Sequence, residues 1–250
     1  MALDRLRANW EEIASVDPLW AILIEPGRRN GRWPISEFFR SGEVEIDEVL
    51  SQVLRLDSRL QRERALDFGC GVGRLTRAMS TYFEKCLGVD ISVQMIELAK
   101  GFNRDRPNCQ FILNTSSDLQ LFESGSFDFV YSSLVLQHMP SARVAFGYMD
   151  EFLRIIRPSG MVVFQLLYTR HWSARLQAPR RIYSLLRRLG MGGPFLHRQL
   201  LLHPIQLIAI PENQVRAHLV ANGAILVHRE SDAPPRLTRS VRYYVRKAPM

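Results

Sequence analysis

From Arg64 to Leu167, short apolar runs alternate with stretches of helical spacing. Arg64 to Phe68, Lys85 to Val89, Gln110 to Leu113, Phe127 to Ser132 and Met161 to Leu167 are brief, aliphatic or aromatic, and bounded by polar or turn-forming positions. That is the pattern of buried strands. Between them, Arg74 to Phe83 and Ile91 to Phe102 carry helical spacing, the second with Ile96 and Ala99 facing inward. Pro158-Ser159-Gly160 reads as a turn into the fifth strand. Alternation of this kind predicts an α/β fold: a doubly wound, mostly parallel sheet with right-handed crossovers, helices on both faces and a ligand at the carboxyl ends of the strands.

The flanking segments differ. Leu3, Leu6, Trp10 and Ile13 recur at helical spacing, and Asp17-Pro18 breaks that helix and starts another. A turn-rich loop from Glu25 to Pro34 follows, and helical spacing resumes from Ile35 to Leu60. After Leu167, residues 168–205 combine arginines with Trp172, Tyr183, Leu185, Leu186, Leu189 and Phe195, broken at Gly190 to Pro194. Arg180 to Leu189 has the pattern of an amphipathic basic helix. From Pro211 the core pattern returns as a helix through Val220, a strand from Ala224 to Val227 and a closing strand from Ser240 to Arg246. The expected organisation is a helical cap at 1–60, a core at 61–167, a basic helical insertion or lid at 168–205, and completion of a seven-stranded sheet at 206–250.

Composition narrows this picture little, and charge changes it more. A chain of 250 residues can bury a sizeable core. No apolar run approaches the roughly 18–20 residues that span a bilayer. Met1 to Trp10 holds Asp4, Arg5 and Arg7 without an apolar centre, so no secretory signal is expected. Cys70, Cys86 and Cys109 lack metal-ligand spacing, which points to a reducing cytoplasm and to no bound metal. The net charge of +8 is unevenly placed: no acid lies between Glu151 and Glu212, where Arg154, Arg157, Arg170, Arg175, Arg180, Arg181, Arg187, Arg188 and Arg198 all fall.

The candidate chemistry centres on Asp67-Phe68-Gly69-Cys70-Gly71-Val72-Gly73-Arg74, where an apolar strand runs into a glycine-rich turn and then a helix start. Glycine at 69, 71 and 73 permits tight reversal and close approach of backbone to a ligand. The helix start directs its unpaired N–H groups toward the loop. Some twenty residues on, Leu87-Gly88-Val89-Asp90 ends a second strand in an acid, placed to accept hydrogen bonds from ribose hydroxyls. Spacing alone leaves a nicotinamide dehydrogenase open.

Asp67-x-Gly69-x-Gly71-x-Gly73 followed by Asp90 resembles the cofactor loop of the class I S-adenosylmethionine (SAM)-dependent methyltransferases, of the small-molecule type. The resemblance covers about residues 61–167 and 206–247, and implies a Rossmann-like sheet with an antiparallel last strand. It implies SAM as cofactor and S-adenosylhomocysteine as product. The methionine part would lie against Gly69 to Gly73, Asp67 would help orient its ammonium, and Asp90 would hold the ribose, with Ser92 capping the next helix. Ile91 and Met95 match positions flanking the adenine. Where the family usually has Asp-Ala after the third strand, this chain has Asn114-Thr115, so Ser117 and Asp118 become the candidates for the adenine amino group. Phe127-Asp128 opens the fourth strand, with Asp128 read as structural.

Ser133, Gln137 and His138, in Ser132-Ser133-Leu134-Val135-Leu136-Gln137-His138-Met139, fall where this fold faces the sulfonium methyl. A histidine of ordinary pKa, about 6.5, suits removal of a hydroxyl proton, so His138 is the candidate base, with a helix-capping role as its alternative. Trp20, Trp33 and Tyr168 are candidate wall residues of an acceptor pocket. The leading expectation is methyl transfer to a small molecule, at oxygen. The alternatives are a nucleic-acid-directed methyltransferase or binder using the arginines, a membrane-surface enzyme with a lipid-linked acceptor, and a non-catalytic partner subunit.

Overall fold

The computed structural model describes residues 2–170, 177–231 and 238–248. Its seven strands are β1 (Arg64–Phe68), β2 (Lys85–Asp90), β3 (Cys109–Leu113), β4 (Phe127–Ser132), β5 (Ile156–Arg170), β6 (Ala224–Ser231) and β7 (Thr238–Lys247). They form one sheet in the order β3-β2-β1-β4-β5-β7-β6. The first five pair in parallel, and β7 runs antiparallel to both β5 and β6. Helices α1 (Ala2–Val16), α2 (Pro18–Ile22) and α3 (Ile35–Leu56) precede the sheet. Helices α4 (Arg74–Met79), α5 (Val93–Phe102), α6 (Ala142–Ile155), α7 (Ala178–Arg188), α8 (Gly193–Arg198) and α9 (Glu212–Ala221) connect its strands.

Alternation along the strands divides the core in two. Ala65, Cys86, Phe129, Tyr131, Val163 and Tyr244 meet Val49 and Val53 of α3 and Met79 of α4. Leu66, Leu87, Val89, Val130, Phe164 and Tyr243 meet Tyr148 and Phe152 of α6 and Val215 of α9. A third cluster ties Ile13 of α1 and Trp20 of α2 to Phe38 and Phe39 of α3 and Met95 of α5. Helices α1 and α2 are thereby seated over the switch point between β1 and β4, where the strand order reverses and an open α/β sheet leaves its crevice, while α3 covers one face of the sheet.

Three local expectations are corrected. The α4 helix ends at Met79 rather than Phe83, because the hydroxyls of Ser80 and Thr81 donate back to the carbonyls of Arg77 and Ala78. Pro158-Ser159-Gly160 does not turn the chain but lies within β5, as a bulge across which the pairing jumps from Phe127–Ile156 to Phe129–Met161. Pro194 starts α8 rather than extending a break, the first-turn position that proline favours. Trp172 and Arg175 of the expected insertion lie outside the described residues, as does the side chain of Arg170.

Candidate active site

At the carboxyl ends of β1, β2 and β4 lies an open cavity that encloses about 780 Å³ of space, its solvent-filled mouth included. Its floor is Phe68, Gly69, Gly71, Val89 and Asp90, and one wall is Ser133, Leu134, Val135, His138 and Met139. Asn114 and Tyr148 close a second side, and Leu3, Leu6 and Trp10 of α1 with Ala21 and Ile22 of α2 form the roof.

Gly69, Gly71 and Gly73 adopt φ of 78°, 53° and 83°, a region that side chains rarely enter. A Cβ on Gly71 would come within 2.5 Å of Ile22 Cδ1, the end of a side chain that would have to shift, so the positive φ is the stronger demand for glycine there. The backbone donors at 69, 70, 71 and 73 are occupied within the protein. The N–H groups of Gly69 and Cys70 both donate to the Val89 carbonyl, and that of Gly71 to the Asp90 carboxylate. Gly69 and Gly71 therefore contribute backbone surface to the cavity floor rather than hydrogen-bond donors, and their missing side chains make room for Val135 and Ile22. Gly73 serves the fold instead: it precedes α4, and a Cβ there would stand 2.7 Å from Asn103 Nδ2 and Phe111 Cε1.

Asp90 ends β2 facing the glycine loop. One carboxylate oxygen accepts from Gly71 N at 2.9 Å and the other from Ser92 N at 2.9 Å. No cation pairs with it among the described residues, and burial raises its pKa against the pull of those backbone donors. Each oxygen keeps lone-pair capacity for a hydroxyl donor. Ser92 caps α5 as expected, its Oγ accepting from Met95 N at 3.1 Å. Ile91 and Met95 line the cavity beside Asp90.

Asp67 lies beneath the loop and outside the cavity wall. It is 1% exposed, accepts from Thr76 Oγ1 at 2.7 Å, and is pushed by burial up to about 7. Ser117 and Asp118 are likewise absent from the wall. Asn114 takes that side because its Oδ1 accepts from Ser116 N and its Nδ2 donates to the Asp118 carbonyl, folding the segment around Asn114 itself. Tyr148 donates to the Ser116 carbonyl at 2.7 Å and completes this side.

His138 lines the cavity from the 3₁₀ turn after β4, with the Trp10 ring edge-on at 5.3 Å. Its Nδ1 lies 2.9 Å from the Gln206 carbonyl, so Nδ1 carries the proton and Nε2 presents a lone pair. Burial lowers its pKa to about 4, against the raising effect of that hydrogen bond. The ring is thus neutral at pH 7 and a weaker base than an ordinary histidine. Gln137 lies outside the wall, where its carbonyl accepts from Ile208 N and its Nε2 sits 3.4 Å from His138 Nε2. Leu134, between Ser133 and Val135, holds φ of 60°, a strained value for a branched side chain and one that clusters at functional sites.

The candidate acceptor-pocket aromatics are placed elsewhere. Trp20 is buried under the Arg29 guanidinium at 4.3 Å, and Trp33 donates from Nε1 to the Leu23 carbonyl. Tyr168 packs against the sheet core. The roof comes instead from Leu3, Leu6 and Trp10, whose helical spacing was visible in the sequence as a buried face without indicating what it covers. Among the described residues, no group of three or more His, Cys, Asp or Glu side chains is placed to hold a metal ion.

The sheet order and the crevice at its switch point define a Rossmann-like α/β protein built to hold a small ligand at its strand ends. Residues 66–164 match the family model described as a methyltransferase domain. The chain is 28% identical over 156 residues to 2-methyl-6-phytyl-1,4-hydroquinone methyltransferase of Synechocystis sp., covering 62% of this chain and 48% of that protein. It is 33% identical over 103 residues to demethylmenaquinone methyltransferase of Staphylococcus aureus, covering 40% of this chain and 41% of that one. The chain spans about half the length of the curated relatives it matches. The crystal structure of magnesium protoporphyrin IX methyltransferase from Synechocystis with bound S-adenosylhomocysteine superposes with a TM-score of 0.66, at 17% identity, over 99% of this chain and 100% of that one. That likeness concerns the fold. The match at residues 66–164 and the shared fold support a methyltransferase domain of the class I SAM-dependent kind within this chain.

Proposed function

We propose that this protein is an enzyme that transfers the methyl group of SAM to a hydroxyl of a small, largely apolar acceptor. One observation carries the reading: the Asp90 carboxylate, without a cationic partner among the described residues, faces the glycine turn across the same cavity that the end of β4 enters from the other side. The residues present fit an adenosyl sulfonium ligand. Asp90 offers acceptors to two ribose hydroxyls, Ile91 and Met95 offer an apolar slot for adenine, and the backbone of Gly69 and Gly71 forms part of the cavity floor. When bound, SAM supplies an electrophilic methyl carbon.

The chain's own part is to position and to exclude water. Leu3, Leu6, Trp10, Leu134, Val135 and Met139 present an apolar surface, which orients an apolar acceptor for in-line approach and keeps bulk water out. His138 Nε2, held in its unprotonated tautomer by Gln206, exchanges its long 3.4 Å contact with Gln137 Nε2 for the hydrogen bond of the acceptor hydroxyl and takes that proton as the oxygen becomes methylated. A neutral histidine with a depressed pKa can do this because the oxygen's acidity rises as its bond to carbon forms.

Thermal unfolding with SAM and with S-adenosylhomocysteine tests the cofactor. At ligand a hundredfold above Kd, Tm is expected to rise by about 5–10 °C. Asp90→Ala is expected to abolish the rise. An unchanged Tm for the wild-type chain at saturating ligand overturns the reading, and a full shift in the variant moves the ribose elsewhere.

A further inference from the structure

We propose that α7 is a docking surface for an anionic lipid membrane. Ile182, Leu185 and Leu189 follow one another at spacings of three and four, which aligns them as one stripe, and they are 48%, 57% and 71% exposed. Arg181 and Arg188, seven residues apart, run along one edge of this stripe, both exposed and in no ion pair among the described residues. The helix contains no acid. Its opposite face is already anchored: Tyr183 is buried and donates to Glu12 of α1, and Arg187 Nη2 lies 3.8 Å from the same carboxylate. The stripe is therefore not the helix's attachment to the body. Phe195 on α8 and Leu200 and Leu201 beyond it add further exposed apolar side chains.

An aliphatic row edged by arginines matches the boundary between headgroups and acyl chains, where the row enters the apolar layer and the guanidinium groups meet lipid phosphates. Nucleic acid fits less well. A phosphate backbone offers nothing to exposed isoleucine and leucine, and the one aromatic side chain of α7, Tyr183, is buried rather than available for stacking on a base. A second copy of the chain fits less well too, because a two-fold contact would bring each arginine row against itself. The surface is independent of the methyl-transfer reading and stands without it.

The test is flotation of the full chain with phosphatidylglycerol-containing vesicles and with pure phosphatidylcholine vesicles, at low and high salt. Binding is expected to the anionic vesicles and to weaken with salt. Leu185→Gln combined with Leu189→Gln, and separately Arg181→Gln combined with Arg188→Gln, are each expected to lower partitioning about tenfold or more. All four side chains are exposed, so the melting temperature should stay close to wild type and confirm folding in each variant. Equal partitioning of either variant and wild type overturns the proposal. So does equal binding to neutral vesicles, or a dimer by light scattering that the leucine substitutions dissociate. Arginine-dependent binding of a single-stranded oligonucleotide without vesicle binding assigns the face to nucleic acid and also overturns it.

Discussion

At the scale of single residues, Asp67 is the group whose surroundings oppose its charge most directly. It is fully buried at the end of β1, and burial outweighs the Thr76 hydroxyl and the nearby Arg74, leaving its pKa at about 7. An unfolded aspartate titrates near 3.9. A raised folded pKa contributes stability that is fully present below about pH 4 and is lost as pH rises through about 7. His138 and His203, both lowered to about 4 by burial, act with the opposite sign, adding stability as pH rises from about 4 to 6.5. Asp67→Asn keeps the acceptor for Thr76 and cannot ionise, while both histidines remain and cancel in the comparison. The variant is expected to gain on wild type by about 1.4 kcal/mol per pH unit between pH 4 and 7, then to hold a constant advantage above pH 7. Urea unfolding of both proteins at several pH values measures this. Parallel profiles would show that Asp67 titrates normally in the fold.

At the scale of elements, the roof of the cavity depends on how α1 is docked. Glu11 reaches the exposed start of α5, accepting from Val93 N at 2.6 Å, Gln94 N at 3.2 Å and Ser92 Oγ at 2.9 Å. A carboxylate there satisfies donors that have no partner within the helix and meets the positive end of its dipole. Glu11→Ala is expected to cost about 1–2 kcal/mol and to speed hydrogen exchange in α1 while β1 and β2 stay protected. Unaltered exchange in α1 would assign its docking to apolar packing alone. Such a latch was not legible in the sequence, because it joins side chain and backbone 82 residues apart. What could be read was local. Short apolar runs closed by Asp67, Asp90 and Ser132 marked strand ends, and Ser92 marked its helix start, since burial and capping leave a signature within a few residues. The β5 bulge at Pro158-Ser159-Gly160 depends on pairing with β4, and the segment that Asn114 folds around itself is fixed in place by the Tyr148 hydroxyl of α6, neither of which a local pattern records.

At the scale of the whole molecule, the two ends of the sheet divide stability from function. At the amino ends, Asp128 is 1% exposed, and its Oδ2 accepts from Glu63 N and Arg64 N at 3.0 and 2.9 Å while Oδ1 meets Arg157 Nη1 at 2.7 Å. One carboxylate thereby staples the entry to β1, the start of β4 and the bulge of β5, and every interaction it makes is internal. At the carboxyl ends, Asp90 has no cation among the described residues and only backbone donors, a poorly compensated charge beside a cavity. Asp128→Ala leaves two backbone N–H groups and a guanidinium without their partner, so it is expected to cost about 3–5 kcal/mol of apo stability. Whatever remains folded should keep wild-type SAM affinity. Asp90→Ala should do the reverse: water in the cavity can satisfy Gly71 N and Ser92 N, so apo stability should move by about 1 kcal/mol or less while ligand binding is lost. Paired denaturation and calorimetric titration of the two variants measure both axes at once. If Asp90→Ala destabilises the empty protein as severely as Asp128→Ala, then Asp90 is a structural carboxylate, and the partition of labour between the ends of the sheet does not hold.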